Sequence, residues 1–188
     1  MNRKKLLIFL FFILPLLFFI YKTNVLKVKI PEELKELVKY TTEIEKKTNG
    51  STFSNSKIED FNGNFLSLID INQMNKKLFF YYNKELHCKQ CVDQTIRILK
   101  EELSKEQLNN QLVILIKFTS KKEFNNFKRL NLLQNITVFK MDNEKINLPI
   151  GDTGLPFFLK LDENLKVQNS HIVIQELPEL TKKYIADF

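Results

Sequence analysis

Two cysteines, Cys88 and Cys91, are the side chains of this 188-residue chain best suited to covalent chemistry. They stand at C-x-x-C spacing and are the only cysteines in the sequence. The N-terminus of a helix carries partial positive charge, which stabilises a thiolate on the first cysteine. The second thiol lies one turn further on and can close an intramolecular disulfide on a mixed-disulfide intermediate. The spacing therefore favours a redox pair, with Cys88 exposed and nucleophilic and Cys91 more buried and resolving.

Other interpretations of the pair stay open at this point: a permanent structural disulfide, an inert pair, or a metal site. Structural zinc needs two more ligands, and the sequence offers only His87 and His171. Soft thiolates suit Cu(I), and the run 86–92 is similar to the motif of heavy-metal-associated domains, so a Cu(I)-binding module is the metal alternative. Haem c attachment requires His directly after the second cysteine, and Val92 stands there.

The residues beside the first cysteine predict a lowered pKa for its thiol. His87 and Lys89 are cationic or can become so, and would favour the Cys88 thiolate beyond the effect of the helix end. His171 falls in a predicted strand, where a structural role is favoured over a catalytic one. We expect no bound metal in the redox interpretation and no cofactor.

A strand and a helix must position the cysteines, and their patterns are clear. Leu78–Asn83 is an apolar, aromatic run typical of a strand buried on both faces, and Val92–Leu103 has helical spacing. Leu112–Phe118 is a second continuous apolar strand, as expected in a covered parallel sheet. Further predicted elements are a hairpin over 58–68 about Asn62-Gly63, a helix over 121–133, strands over 136–141, 156–161 and 165–174, and a helix over 176–186.

This order predicts an α/β fold, a central mixed β-sheet flanked by helices, with an N-terminal hairpin. The loop 142–154 joins two of the strands, and 156–161 pairs with 165–174 in antiparallel fashion. Cys88 and Cys91 then lie at the carboxyl end of a central strand, where α/β sheets place their sites.

The first 27 residues predict a membrane anchor. They carry five basic residues and no acid, whereas the remaining 24 basic and 22 acidic residues nearly balance, so we expect no nucleic-acid binding. Arg3, Lys4 and Lys5 precede the sixteen uncharged residues 6–21, which would span roughly 24 Å as a helix. A cleaved signal peptide is the alternative, but no small-residue cleavage site follows.

This charge pattern predicts a single-pass signal anchor with a cytoplasmic N-terminus and an extracytoplasmic, periplasmic-side domain. Such a location allows disulfides to form and persist. We expect residues 28–56 to be a helical spacer and linker, with a helix over 31–47 and a polar linker over 49–57. A packing face or a short coiled coil is the alternative for the helix. The main domain is expected over 57–188.

Three stretches together resemble the membrane-tethered, extracytoplasmic thiol–disulfide oxidoreductases of the TlpA/ResA type, which have a thioredoxin-like fold. The stretches are 61–68, 78–91 and 153–164. The resemblance implies that Pro156 follows a cis bond and packs beside the disulfide, and that Leu155 offers backbone hydrogen bonds to an extended substrate segment. It also implies a buried carboxylate near the second thiol, for which Glu85 is the candidate. A trans bond at Pro156, or a proline far from the thiols, would remove the case for exchange chemistry that the resemblance makes.

The resemblance implies a thiol–disulfide exchange protein that acts on thiols or disulfides of exported proteins through Cys88 and Cys91. The alternatives are a non-catalytic thioredoxin-like binding or scaffold domain and the Cu(I)-binding module named above.

Overall fold

The computed structural model describes residues 31–73, 78–118, 120–141 and 146–188. The chain divides into two compact units, Met1–Lys39 and Tyr40–Phe188. Of the first unit the structure describes residues 31–39, which belong to the N-terminal half of helix α1 (Glu32–Thr48). Acids in the first turn and lysines in the last turn suit the helix dipole, and the predicted helix over 31–47 is confirmed.

The second unit is built on one mixed sheet. Its strands are β1 (Lys57–Glu59), β2 (Phe65–Ser67), β3 (Leu78–Asn83), β4 (Leu112–Lys117), β5 (Thr137–Met141), β6 (Phe157–Leu161) and β7 (Val167–Ile172). Its further helices are α2 (Leu68–Gln73), α3 (Lys89–Glu102), α4 (Lys105–Asn110), α5 (Lys121–Leu130) and α6 (Pro178–Ala186).

The predicted mixed sheet is confirmed. In the described part of the chain seven strands lie in the order β2-β1-β5-β4-β3-β6-β7. β3, β4 and β5 are parallel, because each is joined to the next through a helix. β6 pairs antiparallel with both β3 and β7, and the hairpin β1–β2 joins the sheet through β5. β3 is therefore an interior strand, and its carboxyl end leads directly to the cysteines.

The side chains of β3 alternate between two apolar layers, as expected for a strand covered on both faces. Phe80 and Tyr82 face the layer that includes α3, α5 and α6. Phe79 and Tyr81 face the other layer, which includes α2 and Phe53. Burying both faces fixes the register of this strand, because a slip by one residue would exchange the two layers.

The predicted polar linker over 49–57 is wrong, because its residues pack on the sheet. The N–H of Gly50 donates to the carbonyl of Val167 (2.8 Å), and the N–H of Phe53 donates to that of Leu165 (2.9 Å). Phe53 is only 1% exposed. Residues 50–53 thus pair with residues 165–167, at the start of β7, and Phe53 packs into the apolar layer below.

Polar contacts attach the C-terminal half of α1 to β7. The carboxylate of Glu45 accepts the N–H of Ile172 (2.6 Å) and lies 3.4 Å from Nδ1 of His171. His171 is buried, its Nε2 lies 3.0 Å from Oγ1 of Thr181, and its ring stacks on Tyr184. The structure thus places His171 where its side chain joins α1, β7 and α6.

Other boundaries differ locally from the prediction. Helices α2 and α4 lie in stretches where the sequence predicted no element. The predicted anchor, residues 1–27, lies outside the described residues. Within the ranges that the structure does describe, no helix is both long and apolar enough to cross a membrane.

Candidate functional site

The turn that carries the cysteines is organised by Asn83, the last residue of β3. Its carbonyl accepts the N–H groups of Leu86 (3.3 Å) and His87 (2.9 Å), and its side-chain oxygen accepts the N–H of Glu85 (3.0 Å). Its own N–H donates to Nδ1 of His87 (3.0 Å). These bonds hold the turn in a fixed form, so that Cys88 becomes the N-cap residue of α3.

Cys88 is exposed, as predicted, and is a free thiol. Its pKa is lowered, chiefly because the Cys91 side chain donates a hydrogen bond to its sulfur. The backbone N–H groups of Cys91 and Gln90, at the start of α3, lower the pKa further. Desolvation and, more weakly, the carboxylate of Glu176 act in the opposite direction. The net result is a thiol that is open to solvent and more acidic than an unperturbed cysteine.

Cys91 has the opposite character. Its residue is 6% exposed, and burial raises the pKa of its thiol to about 12. The hydrogen bond that it donates to Cys88, and the negative charge of that sulfur, add to the increase. The predicted difference in burial between the two cysteines is confirmed. Two adjacent thiols with such different acidities can act in sequence, the exposed one first.

His87 does not supply the positive charge that the sequence predicted. The residue is 8% exposed, and burial lowers the pKa of its imidazole to about 4. Because Nδ1 accepts the N–H of Asn83, the neutral ring carries its proton on Nε2. The rings of Tyr81 and Tyr82 both lie 5.8 Å from it, centroid to centroid. The prediction of a tuning cation at this position is wrong, since protonation would bury a charge and break a hydrogen bond.

The remaining charged neighbours of the pair lie at the surface. Lys89, the first residue of α3, is exposed and lines an open groove with Tyr82 and Phe127, and its effect on Cys88 stays a prediction. Glu85 is also exposed, so it does not fit the buried carboxylate that the resemblance implied. Its position in a turn, held by its N–H rather than its side chain, accounts for the difference.

The peptide bond between Leu155 and Pro156 is trans, so the cis bond implied by the resemblance is wrong. The trans form is the lower-energy isomer of most X-Pro bonds, by about 0.5–1 kcal/mol. The carbonyl of Pro156 accepts the N–H of Val173 (2.9 Å), and the N–H of Leu155 donates to Oγ1 of Thr153 (3.3 Å). The bond before Pro156 therefore gives no support to exchange chemistry in this chain.

The strand register nevertheless places this loop at the cysteine end of the sheet. Phe157 pairs with Tyr81 across β6 and β3, so the two residues before Phe157 lie beside the carboxyl end of β3. Leu155 is half-buried against the apolar layer, and Pro156 is buried. Their role in substrate binding stays a prediction.

Gln175 is the site residue that the sequence reasoning missed. Its Oε1 lies 3.2 Å from Sγ of Cys91 and 3.5 Å from Sγ of Cys88. The residue follows β7, whose end meets the start of β6 through the bond between Val173 and Pro156. The available signal was the antiparallel pairing of the last two strands, which brings the residues after 174 back to the cysteine end of the sheet.

Among the described residues, the cysteine pair is not part of a larger group of metal ligands. Across the described ranges, no three His, Cys, Asp or Glu side chains are grouped so that they could hold one metal ion. Residues 157–161 and 167–172 belong to the same sheet as the cysteine-bearing strand. A short metal-associated module would therefore not account for the chain as a whole.

Comparison with solved structures identifies a thioredoxin-like fold. The chain is similar to a thiol:disulfide interchange protein from Bacteroides sp., with a TM-score of 0.52 and 14% identity over 73% of this chain and 90% of the other. It is also similar to the thioredoxin domain of a thiol-disulfide oxidoreductase from Bacteroides vulgatus, with a TM-score of 0.51 and 14% identity over 73% and 97%. Neither a protein-family model nor a curated protein sequence matches this chain.

Proposed function

We propose that this chain is a membrane-anchored, extracytoplasmic thiol–disulfide exchange protein, in which Cys88 attacks and Cys91 resolves. The observation that carries the proposal is the contrast between the two thiols. Cys88 is exposed at a helix N-terminus with a lowered pKa, and Cys91 is buried with a pKa raised to about 12. An exchange pair needs this difference in pKa, because the first cysteine attacks as a thiolate and the second stays protonated until the mixed disulfide has formed.

The exchange proceeds in two steps that balance in atoms and electrons. The Cys88 thiolate attacks one sulfur of a partner disulfide, forms a mixed disulfide and releases the other partner sulfur as a thiolate. Cys91 then attacks Cys88 and releases the second partner sulfur, while its proton passes to a released thiolate. The pair loses two electrons and becomes a disulfide, and the partner becomes a dithiol. The same steps run backwards when the pair begins oxidised.

The first 27 residues support the proposed location. A basic start followed by the uncharged stretch 6–21 would hold the chain in the membrane with the cysteines outside the cytoplasm. There the partners would be thiols or disulfides of other exported proteins, because that compartment allows disulfides to persist. Protease treatment of spheroplasts tests this arrangement: the domain should be accessible to cleavage and the N-terminus protected.

The loop of Leu155 and Pro156 is our proposal for the surface that faces the substrate. It lies beside the carboxyl end of β3, where the cysteine turn begins. Because the N–H of Leu155 donates to Thr153, a substrate segment that pairs there would have to displace that bond.

Reduction of insulin by the full chain in detergent tests the exchange activity. The wild type should accelerate the reduction of insulin by dithiothreitol, and Cys88→Ser should remove that acceleration. Incubated with insulin without dithiothreitol, Cys91→Ser should instead accumulate a mixed disulfide through Cys88, because the resolving thiol is gone. A wild type no faster than Cys88→Ser would refute the exchange function and favour a binding or scaffold domain. Stoichiometric copper after purification under reducing conditions would favour the Cu(I) module.

A further inference from the structure

The amide of Gln175 contacts both sulfurs of the pair. It reaches them from the turn after β7, so it belongs to a different element from the helix that carries the cysteines. In the observed orientation the amide turns its oxygen, not its NH2 group, toward the sulfurs. That oxygen only accepts hydrogen bonds, so it can bind Cys88 and Cys91 as thiols but offers nothing to a thiolate or a disulfide. This contact therefore depends on the chemical state of the pair.

The contact also competes with the bond that activates Cys88. Cys91 carries one proton on its sulfur and can donate it either to the Cys88 thiolate or to Oε1 of Gln175. When Cys88 is a thiolate, the bond between the two sulfurs is the stronger choice, because the acceptor is charged. When Cys88 is protonated, both thiols can turn toward the amide. Gln175 thus favours the dithiol over each state that follows it in the reaction.

We propose that Gln175 is a positioning residue of the exchange pair, which holds Cys88 and Cys91 as thiols and thereby limits how readily Cys88 attacks. This inference rests on the proposed function for its biological meaning. The effect of Gln175 on the two thiols, however, can be measured on the chain alone, without a partner protein. Removing the carbonyl makes the reduced pair more reactive and easier to oxidise.

Other groups near the sulfurs do not reproduce this effect. Glu176, on the same turn, opposes the thiolate by charge alone. Tyr82, on β3, is close enough to interact electrostatically with both sulfurs. Burial raises the pKa of its phenol, so this group is neutral in the range where Cys88 titrates. His87 is neutral, and Lys89 is exposed. An oppositely directed result for two Gln175 variants therefore reports on the amide.

The experiment uses the full, reduced chain in detergent. Alkylation of Cys88 by iodoacetamide is measured by mass spectrometry at a series of pH values. Gln175→Leu should shift the pH midpoint of Cys88 alkylation downward by about half a unit, since a hydrogen bond is worth roughly a fivefold change and thiols are weak donors. In a glutathione buffer below that midpoint, the equilibrium constant for forming the Cys88–Cys91 disulfide should rise by the same factor of about three, equivalent to about 14 mV.

Gln175→Glu keeps an acceptor and adds a negative charge, so it should shift the alkylation midpoint upward. Gln168→Leu is the matched control, because Gln168 lies on β7, is exposed, and donates to Asp162 rather than to a sulfur. Its midpoint should equal that of the wild type. Thermal unfolding of each variant separates an effect on the thiols from a general loss of stability.

Unchanged midpoints in both Gln175 variants would overturn the inference, whatever happens to their stability. Shifts in the same direction would overturn it as well, because the two substitutions change the acceptor in opposite ways. The proposed function fails separately: a chain whose midpoints shift as stated but that reduces no insulin retains the Gln175 contact and lacks exchange activity.

Discussion

His87 should make the folded chain sensitive to mild acid. The imidazole is buried, and its Nδ1 accepts the N–H of Asn83 at the start of the cysteine turn. Its pKa is about 4 in the folded chain and about 6.5 in an unfolded one. Protonation of the folded state would bury a charge and place two donors face to face, so the native state resists the proton that the unfolded state accepts.

The size of the effect follows from this difference in pKa. Above pH 6.5 the ring is neutral in both states and contributes no pH dependence. Between pH 6.5 and 4 the unfolded chain binds a proton that the folded chain does not, so the free energy of unfolding decreases as the pH falls. Each pH unit costs about 1.4 kcal/mol, which gives about 3 kcal/mol over the interval. Below pH 4 the folded state also binds the proton and the loss levels off.

Urea unfolding at a series of pH values measures this loss. His87→Gln keeps an acceptor within reach of the Asn83 N–H but cannot titrate, so the difference between wild type and variant should change by about 3 kcal/mol between pH 6.5 and 4. His171→Gln is the control, because it removes the other histidine of the sequence and leaves His87 in place. Parallel curves for wild type and His87→Gln would refute the argument.

Three further predictions concern the thiols, the core and a helix start. Cys91→Ala should raise the pH midpoint of Cys88 alkylation, because it removes the largest cause of the lowered pKa; an unchanged midpoint would contradict this. Phe80→Ala should cost about 3–5 kcal/mol in urea unfolding, since the side chain is fully buried, whereas the 62%-exposed Phe65 should tolerate Ala within about 0.5 kcal/mol. Equal losses of unfolding free energy in Phe80→Ala and Phe65→Ala would contradict this prediction. Ser104→Ala should cost about 1 kcal/mol by removing the cap of α4, and a neutral effect would show that the cap contributes nothing.

Sequence pattern was sufficient for the sheet because its central strands are extreme in composition. Leu78–Asn83 and Leu112–Lys117 are continuous apolar runs, and only a strand covered on both faces accommodates them at that length. Helix α4 was missed although Ser104 and Gln107 form a capping box that the sequence displays. Its six residues contain one buried apolar side chain, Leu108, and a single apolar residue cannot show a helical repeat.

Much less of the site could be predicted than of the fold. The spacing of Cys88 and Cys91 at a helix start was enough to anticipate which thiol is exposed. The protonation state of His87 could not be predicted from the sequence. The pKa of its imidazole depends on burial, and the N–H of Asn83 that it accepts is brought to it only by the folded turn. Gln175 is 84 positions from Cys91, and their contact depends on the exact end of β7. Contacts of this kind arise from tertiary structure alone.

The pairing of residues 50–53 with the outer side of β7 has a consequence for any shortened form of the chain. A version that begins at residue 57 would lose the partners of Val167 and Leu165 and uncover the apolar surface beneath Phe53. Unpaired strand edges recruit strands from other molecules. Such a version should therefore self-associate. A version that begins at residue 40 retains the pairing of residues 50–53 and should remain monodisperse.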